Sequence, residues 1–324
     1  LGDVYKRQQK TAGYGVSQPV SNDIMDAALE MGINCFDTSN IYGGGLSEQF
    51  IGEWLQARGG RVRDQLLISS KVRHPVGPGP NDKGLSRRHI MQQVEASLRR
   101  LQTDYLDLYL SHAPDPDTPI DETLRAFDDL VRQGKIRYFG CSGAAAWMVA
   151  KSLWTSDRLG LNHVNWIQDS YSLIDRGLER EMVPLCIDQG LGITPFSPLA
   201  GGLLSGKYRR GEAIPGNSRL AVMPRIYAAM MDEQTFDGVE ALRTFAADFG
   251  SDMPTLALAW LLSRPYVTAP IVGPSTVAHL LPARQALQLE LTDDELLHLE
   301  GFFSGTRGIT RVTVASPAPQ GVRA

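Results

Sequence analysis

Short apolar runs alternate with amphipathic stretches along most of this chain of 324 residues, and this alternation restricts the folds open to it. Strands are indicated by the runs INCF, LLIS and LDLYL, and helices by apolar residues at helical spacing over 86–101 and 120–131. Such an order is typical of parallel strands joined by right-handed helical crossovers. The predicted strands end at Asp37, Lys71, His112, Ser142, Gln168 and Phe196. Consecutive ends lie 26 to 41 residues apart, which fits one βα unit each.

Two architectures accept this order: a closed (β/α)8 barrel and an open, doubly wound sheet. An open sheet that binds a dinucleotide carries a GxGxxG motif after its first strand. The glycine-rich stretch after Tyr42 reads GGGLSEQF and lacks that spacing. Functional residues at nearly every strand end favour the barrel, because its βα loops meet on one face. We therefore predict an α/β fold of the (β/α)8 TIM-barrel type, with a last strand at Thr268–Val272.

Composition excludes several classes of protein. The net charge of -4 and the pI of about 5.9 argue against a basic surface for nucleic acid. No apolar run approaches the ~20 residues that cross a bilayer. Three cysteines fit no metal motif, and so small a number suits a reducing compartment. We expect a cytoplasmic protein that binds no metal, no nucleic acid and no membrane.

Four residues at or just after strand ends carry chemistry together: Asp37, Tyr42, Lys71 and His112. An ammonium near a phenol makes the phenolic proton easier to release, and a carboxylate holds that ammonium in place. An imidazole orients a carbonyl oxygen toward the phenol, so the set forms a general acid for a carbonyl. Singly, each has an ordinary structural explanation, such as a turn, a surface lysine or a packed aromatic. Their shared topological position favours the chemical interpretation.

These residues lie in segments that resemble the aldo-keto reductases over about 20–300. The matching segments are INCFDTSNIYGGGLSE, ISSK, DLYLSH, LVRQGKIRYFGCSG, IQDSYSLIDR and FSPLAGGLLSGKY. The long Gly-Lys-Tyr loop is similar to a branch with aryl-alcohol-dehydrogenase-like reductases and potassium-channel β subunits. The resemblance implies the barrel and catalytic roles for the four residues named above.

The resemblance also implies a bound nicotinamide cofactor, NADPH, with NADH possible. Ser142 and Gln168 fall where the family binds the carboxamide, and Phe196 where an aromatic ring stacks on the nicotinamide. The pyrophosphate and adenosine contacts are expected from Ser197, Leu199, Gly201, Lys207, Gly273 and Ser275.

Two departures bear on that cofactor. Gly143 stands where the family usually has Asn, so one carboxamide-binding side chain is absent. The adenosine loop has Ser275 where Arg is common, and Arg is the residue suited to a 2′-phosphate. This loss weakens the inference of NADPH over NADH. Arg284 is nearby, but we interpret it as an exposed helix residue.

The start of the chain does not resemble the family. We predict residues 1–15 as an atypical leader, 16–303 as a single barrel domain and 304–324 as a C-terminal tail. On this division the first barrel strand is missing or replaced. Trp147 and Trp154, on the helix after Ser142, are interpreted as packing residues rather than as walls of the substrate pocket.

The leading hypothesis is an NAD(P)H-dependent reductase of aldehydes or ketones. The alternative is a nucleotide-binding regulatory subunit with slow or vestigial reductase activity. A barrel isomerase or lyase that uses the same tyrosine and lysine is a third class, but it leaves the cofactor segments unexplained. The expected partner is a small carbonyl substrate, and the protein is expected to be a monomer or homo-oligomer.

Overall fold

A sheet of six parallel strands forms the centre of the computed structural model, which describes residues 15–216, 218–222, 227 and 230–303. The strands are β1 (Cys35–Asp37), β2 (Leu67–Val72), β3 (Leu106–Ser111), β4 (Ile136–Ser142), β5 (Trp166–Gln168) and β6 (Gly192–Ile193). They pair in chain order, each parallel to the next. All their carboxyl ends therefore lie on one side of the sheet.

Helices separate the strands. They are α1 (Gln18–Glu30), α2 (Leu46–Arg58), α3 (Gly60–Arg63), α4 (Arg87–Leu101), α5 (Ile120–Arg132), α6 (Ala146–Leu159) and α7 (Met182–Gln189). The later part contains α8 (Arg219–Val222), α9 (Glu233–Phe249), α10 (Met253–Leu262), α11 (Leu281–Ala286) and α12 (Asp293–Gly301). Helix α4 shows the physical basis of the helical spacing seen in the sequence. Its cap Ser86 accepts from the His89 N–H, and Ile90, Val94 and Leu98 are buried.

This parallel sheet with its helices fits an α/β barrel. Seven strands of an eight-stranded barrel were predicted, with the first barrel strand missing or replaced, and the described residues form six, so complete closure is not confirmed. Almost all of the predicted leader and the whole of the predicted tail lie outside the described residues. The prediction about the first barrel strand concerns that same leader and stays a prediction.

The predicted last strand at Thr268–Val272 is not formed as a strand. The Thr268 N–H donates to the Ile193 carbonyl at 2.8 Å, and the Ile271 N–H donates to the Pro195 carbonyl at 2.7 Å. The segment thus lies along β6, but Pro270 has no N–H to donate. Two backbone bonds on either side of a proline replace a regular ladder.

Trp147 and Trp154 were predicted to be packing residues, and the structure exposes both instead. Their exposed fractions are 61% and 62%. Helix α6 turns Val149 and Leu153 inward instead, and the two tryptophans lie on its outer side. No helix within the described part of the chain is both long enough and apolar enough to cross a membrane.

Candidate active site

A buried ion pair links the first two strands at their carboxyl ends. Lys71 is fully buried on β2, and its Nζ contacts the carboxylate of Asp37 at the end of β1. The same ammonium donates to the Thr38 carbonyl at 2.8 Å. Asp37 Oδ1 also accepts from Ser69 Oγ at 2.9 Å and from Gln168 Nε2 at 3.0 Å. These extra bonds matter because a buried ion pair persists only when its remaining polar atoms are satisfied.

Tyr42 and His112 meet beside this pair. Tyr42 begins the short 3-10 turn Tyr42–Gly45 after β1, and His112 directly follows β3. The Tyr42 hydroxyl lies 3.2 Å from His112 Nε2. Lys71 Nζ lies 5.2 Å from the centroid of the Tyr42 ring. The structure therefore brings all four predicted catalytic residues together, with the phenol between an imidazole and an ammonium.

Ser39 was not predicted, and it contacts the other side of the imidazole. Its Oγ lies 3.0 Å from His112 Nδ1, and the residue is fully buried. When the Ser39 hydroxyl donates to Nδ1, the neutral ring carries its proton on Nε2, which faces the Tyr42 oxygen. The position of Ser39 two residues after Asp37, on the same strand end, was the signal available in the sequence.

Ser142 and Gln168 lie side by side at the ends of β4 and β5. They are register partners in the sheet, and both are buried. Through its bond to Asp37, Gln168 joins the cluster of Tyr42, Lys71 and His112. A carboxamide contact from these two side chains remains a prediction.

A cleft of about 320 Å³ lies between the segment after β6 and the loop before α11. Five predicted cofactor residues line it: Ser197, Leu199, Gly201, Lys207 and Gly273. Backbone in left-handed conformations forms part of its wall, at Ser197, Gly201 and Gly202. Ser197 and Ala200 have φ of +56° and +46°, and Gly201 and Gly202 have φ of +67° and +98°. At Gly201 a Cβ would lie 2.6 Å from the Tyr227 ring, so a side chain there would clash.

Phe196 and Ser275 lie next to this cleft without lining it. The Phe196 N–H donates to the Asp169 carbonyl at 2.9 Å, so its backbone ties β5 to the segment after β6. The Ser275 N–H donates to His279 Nδ1 at 3.2 Å, and its Oγ is 3.1 Å from the same nitrogen. His279 is the lining residue of that pair. Arg284 is exposed, as interpreted from the sequence.

Arg219 is a second residue that was not predicted. It lies in α8, is buried, and lines the cleft. Its Nη1 donates to the Tyr227 hydroxyl at 3.3 Å, and that hydroxyl lies 3.4 Å from Ser197 Oγ. A buried guanidinium at a cleft is suited to an anionic ligand. In the sequence, residues 200–225 are rich in Gly and Arg, but this composition does not indicate which arginine is buried.

Burial raises the pKa of an aspartate and three thiols near the sheet. Burial raises the pKa of Asp169 to about 6, and the neighbouring Asp175 charge adds to that rise. Burial likewise raises the pKa of Cys35 to about 11 and the pKa of both Cys141 and Cys186 to about 12. A thiolate is the reactive form of cysteine, so these thiols are poor nucleophiles.

A sequence model of the aldo/keto reductase family matches residues 8–302. An uncharacterised oxidoreductase of Bacillus subtilis, YrpG, is 38% identical over 93% of this chain and 92% of its own length. A probable voltage-gated potassium channel subunit beta of Arabidopsis thaliana is 37% identical over 81% of this chain and 80% of its own length. Versiconal hemiacetal acetate reductase of Aspergillus parasiticus is 33% identical over 89% of this chain and 88% of its own length.

Proposed function

Since the chain belongs to the aldo/keto reductase family, we propose that this oxidoreductase reduces aldehydes or ketones to alcohols with a nicotinamide cofactor, with Tyr42 as the general acid. The observation that carries the proposal is the Tyr42 hydroxyl at 3.2 Å from His112 Nε2, beside the buried Lys71–Asp37 pair. A phenol in this setting is placed to donate a proton to a developing alkoxide.

Each residue of the site has a separate role in the proposed reaction. Tyr42 gives its proton to the carbonyl oxygen, and the positive charge of Lys71 stabilises the phenolate that remains. Asp37 pairs with Lys71 and fixes it in place. His112 donates from Nε2 to the same oxygen and orients it, and Ser39 holds the required tautomer.

The cleft is suited to the anionic part of such a cofactor. Arg219 supplies a buried cation, and the left-handed backbone at Gly201 and Gly202 leaves room for close approach. Ser142, Gln168 and Phe196 would hold the nicotinamide end, between the cleft and Tyr42. When bound, the reduced cofactor supplies the hydride. Whether NADPH or NADH is preferred is set by the residues around Ser275 and His279, and we propose NADPH with NADH as the weaker ligand.

Replacing Tyr42 by Phe tests this proposal. We expect wild-type protein to oxidise NADPH in the presence of an aldehyde, followed by the loss of the absorbance of the reduced nicotinamide. Tyr42→Phe should lower kcat by roughly 10²–10⁴-fold, the usual contribution of a general acid. The dissociation constant for NADPH, measured by tryptophan fluorescence, should be unchanged. Equal rates for the two proteins would reject Tyr42 as the acid.

A nucleotide-binding regulatory subunit is the second candidate function. It is favoured by the 37% identity to the probable channel subunit of Arabidopsis thaliana. That role predicts tight binding of NADPH without appreciable turnover of any carbonyl compound in a broad aldehyde panel. Turnover that depends on Tyr42 would instead favour the reductase.

A further inference from the structure

The loop after β2 carries two nitrogen-rich side chains directly after Lys71, and the second of them contacts the proton-donating residues. Arg73 and His74 come two and three residues after Lys71, and both are half-buried. Arg73 has φ of +149°, a conformation that side-chain-bearing residues rarely adopt. Backbone outliers of this kind persist where the surrounding structure imposes them, and they concentrate at ligand sites.

Arg73 has a buried polar atom that the protein does not satisfy. Among the residues that the structure describes, none forms a hydrogen bond with its Nε. Because this N–H is buried without an acceptor, a ligand oxygen that accepted a bond from it would bind favourably. The unsatisfied group is therefore a reason to expect an anion at this position.

Asp115 is a carboxylate within electrostatic reach of Arg73. Asp115 belongs to the loop that starts at His112, and its Oδ2 accepts from the Leu85 N–H at 2.6 Å and from Thr118 Oγ1 at 2.8 Å. Burial raises the pKa of Asp115, but these bonds and the charge of Arg73 lower it overall. Arg73 thus lies within electrostatic reach of the loop that carries His112, without pairing with this carboxylate.

His74 is in direct contact with His112. The two ring centroids are 4.7 Å apart, with the planes at 70°. Because His112 contacts the Tyr42 hydroxyl, His74 lies only one ring beyond the pair that would receive the carbonyl oxygen. A substituent next to the reacting carbonyl would reach His74, and an imidazole prefers a hydrogen-bonding group to an alkyl group.

We propose that Arg73 and His74 form a carboxylate-binding subsite, so that the preferred substrates are aldehydes or ketones that also carry a carboxylate group. This inference rests on the proposed reductase function and names its substrate class. Arg73 supplies the charge-assisted hydrogen bonds to the carboxylate. His74 lies between the bound carboxylate and His112. Both residues lie on a loop. In barrel enzymes the loops vary and set the substrate specificity, while the residues at the strand ends keep the same chemistry.

Matched substrates test the subsite. The ortho, meta and para isomers of formylbenzoate would each be compared with their methyl esters, which keep the aldehyde and remove the charge. With NADPH, wild-type protein should show kcat/KM at least about tenfold higher for one acid than for its ester, the value of one charge-assisted bond. In Arg73→Gln this ratio should fall to about one, and Arg73→Lys should retain part of it.

Two further variants separate recognition from packing. His74→Phe keeps the edge-to-face contact with His112 but removes the ring nitrogens, so it should lower the acid-to-ester ratio severalfold. Arg125→Gln, at an exposed arginine of α5, removes the same charge elsewhere and should leave the ratio unchanged. Thermal melting of each variant shows whether it is folded.

The outcomes are distinct from those of the function test. A wild-type ratio near one for all three isomers, or a ratio that survives Arg73→Gln, would overturn the subsite while leaving the reductase intact. If no aldehyde is turned over, the reductase proposal fails. The subsite is then tested without turnover, by calorimetric titration with the three hydroxymethylbenzoates, which keep the carboxylate. Binding that is lost in Arg73→Gln supports it, and absence of binding overturns it.

Discussion

The proton-donating cluster and the cleft next to it are built in different ways. In the cluster, defined as Asp37, Tyr42, Lys71 and His112, each side chain is positioned by contact with a side chain from another strand end. In the cleft, part of the wall is backbone in left-handed conformations at Ser197, Gly201 and Gly202, and the lining residue Lys207 is exposed. Removing a side chain should therefore damage the first region most, and adding a Cβ should damage the second.

The largest effect is expected for Lys71→Met, which would break the side-chain network at its centre. Asp37 would remain buried with two neutral donors and no counter-charge. We expect the free energy of unfolding, measured by urea denaturation, to fall by about 3–5 kcal/mol, the usual cost of breaking a buried pair. Reductase activity should be lost as well, since Tyr42 loses the neighbouring charge.

The double variant Asp37→Asn with Lys71→Met is the control for that prediction. It removes both charges and leaves a neutral pair of similar size. Its stability should recover by more than half, while its activity should not recover. An equal loss of stability in the single and double variants would show that packing, rather than the unpaired carboxylate, dominates at this position.

Asp169 lies between the two regions and tests whether they share a pH dependence. Burial raises its pKa to about 6 from an ordinary value of 3.8. The folded protein then holds a proton that the unfolded chain releases, so stability falls as the pH rises from about 4 to about 6. Above that range a constant penalty of up to about 3 kcal/mol remains.

Asp169→Asn should remove this penalty, because the Asn side-chain oxygen can still accept the Ser170 N–H. By urea denaturation at pH about 7.5, we expect the variant to be more stable than wild type. At pH about 5 this gain in stability should be smaller. A gain that is the same at both pH values would mean that the carboxyl does not titrate in this interval.

The strand-end residues were predictable because parallel strands deliver their carboxyl ends to one side. Asp37, Lys71 and His112 each follow an apolar run, so their common position could be inferred without coordinates. Ser39 was missed because its role depends on an imidazole 73 residues away in the chain. Nothing in the local pattern distinguishes it from an ordinary loop serine.

Residues on the loops were harder to predict. Arg219 is buried because Tyr227 and the segment after β6 surround it, and Arg73 has an unsatisfied Nε because of how its loop folds. Hydrophobic periodicity says nothing about either. The segment at Thr268–Val272 was misassigned for a related reason: its apolar composition indicated a strand, but the missing N–H of Pro270 prevented a regular ladder.

A Cβ at Gly201 should break the backbone-built region. Gly201→Ala adds a methyl group 2.6 Å from the Tyr227 ring, at a residue with φ of +67°. Tyr227 contacts both Arg219 and Ser197, so its displacement should disturb the cleft. We expect a cost of about 2 kcal/mol, seen as a roughly thirtyfold weaker Kd for NADPH by fluorescence titration.

Gly211→Ala is the matched control for that substitution. Gly211 has φ of +74°, and a Cβ there would meet nothing within 4 Å. The control pays for the backbone conformation alone, so it should change the Kd for NADPH far less than Gly201→Ala. Equal effects would mean that backbone strain, rather than contact with Tyr227, shapes the cleft.

The smallest expected effect is that of Ser39→Ala, which removes one bond from the side-chain network and leaves every charge in place. His112 Nδ1 would lose its partner at 3.0 Å, and the ring could then carry its proton on either nitrogen. One neutral hydrogen bond contributes about 1 kcal/mol, so kcat should fall roughly fivefold while the Kd for NADPH is unchanged. Ser156→Ala is the control, because Ser156 is also fully buried and its Oγ has no hydrogen-bond partner within the described ranges. If both variants lower kcat equally, Ser39 acts by packing and does not select the tautomer of His112.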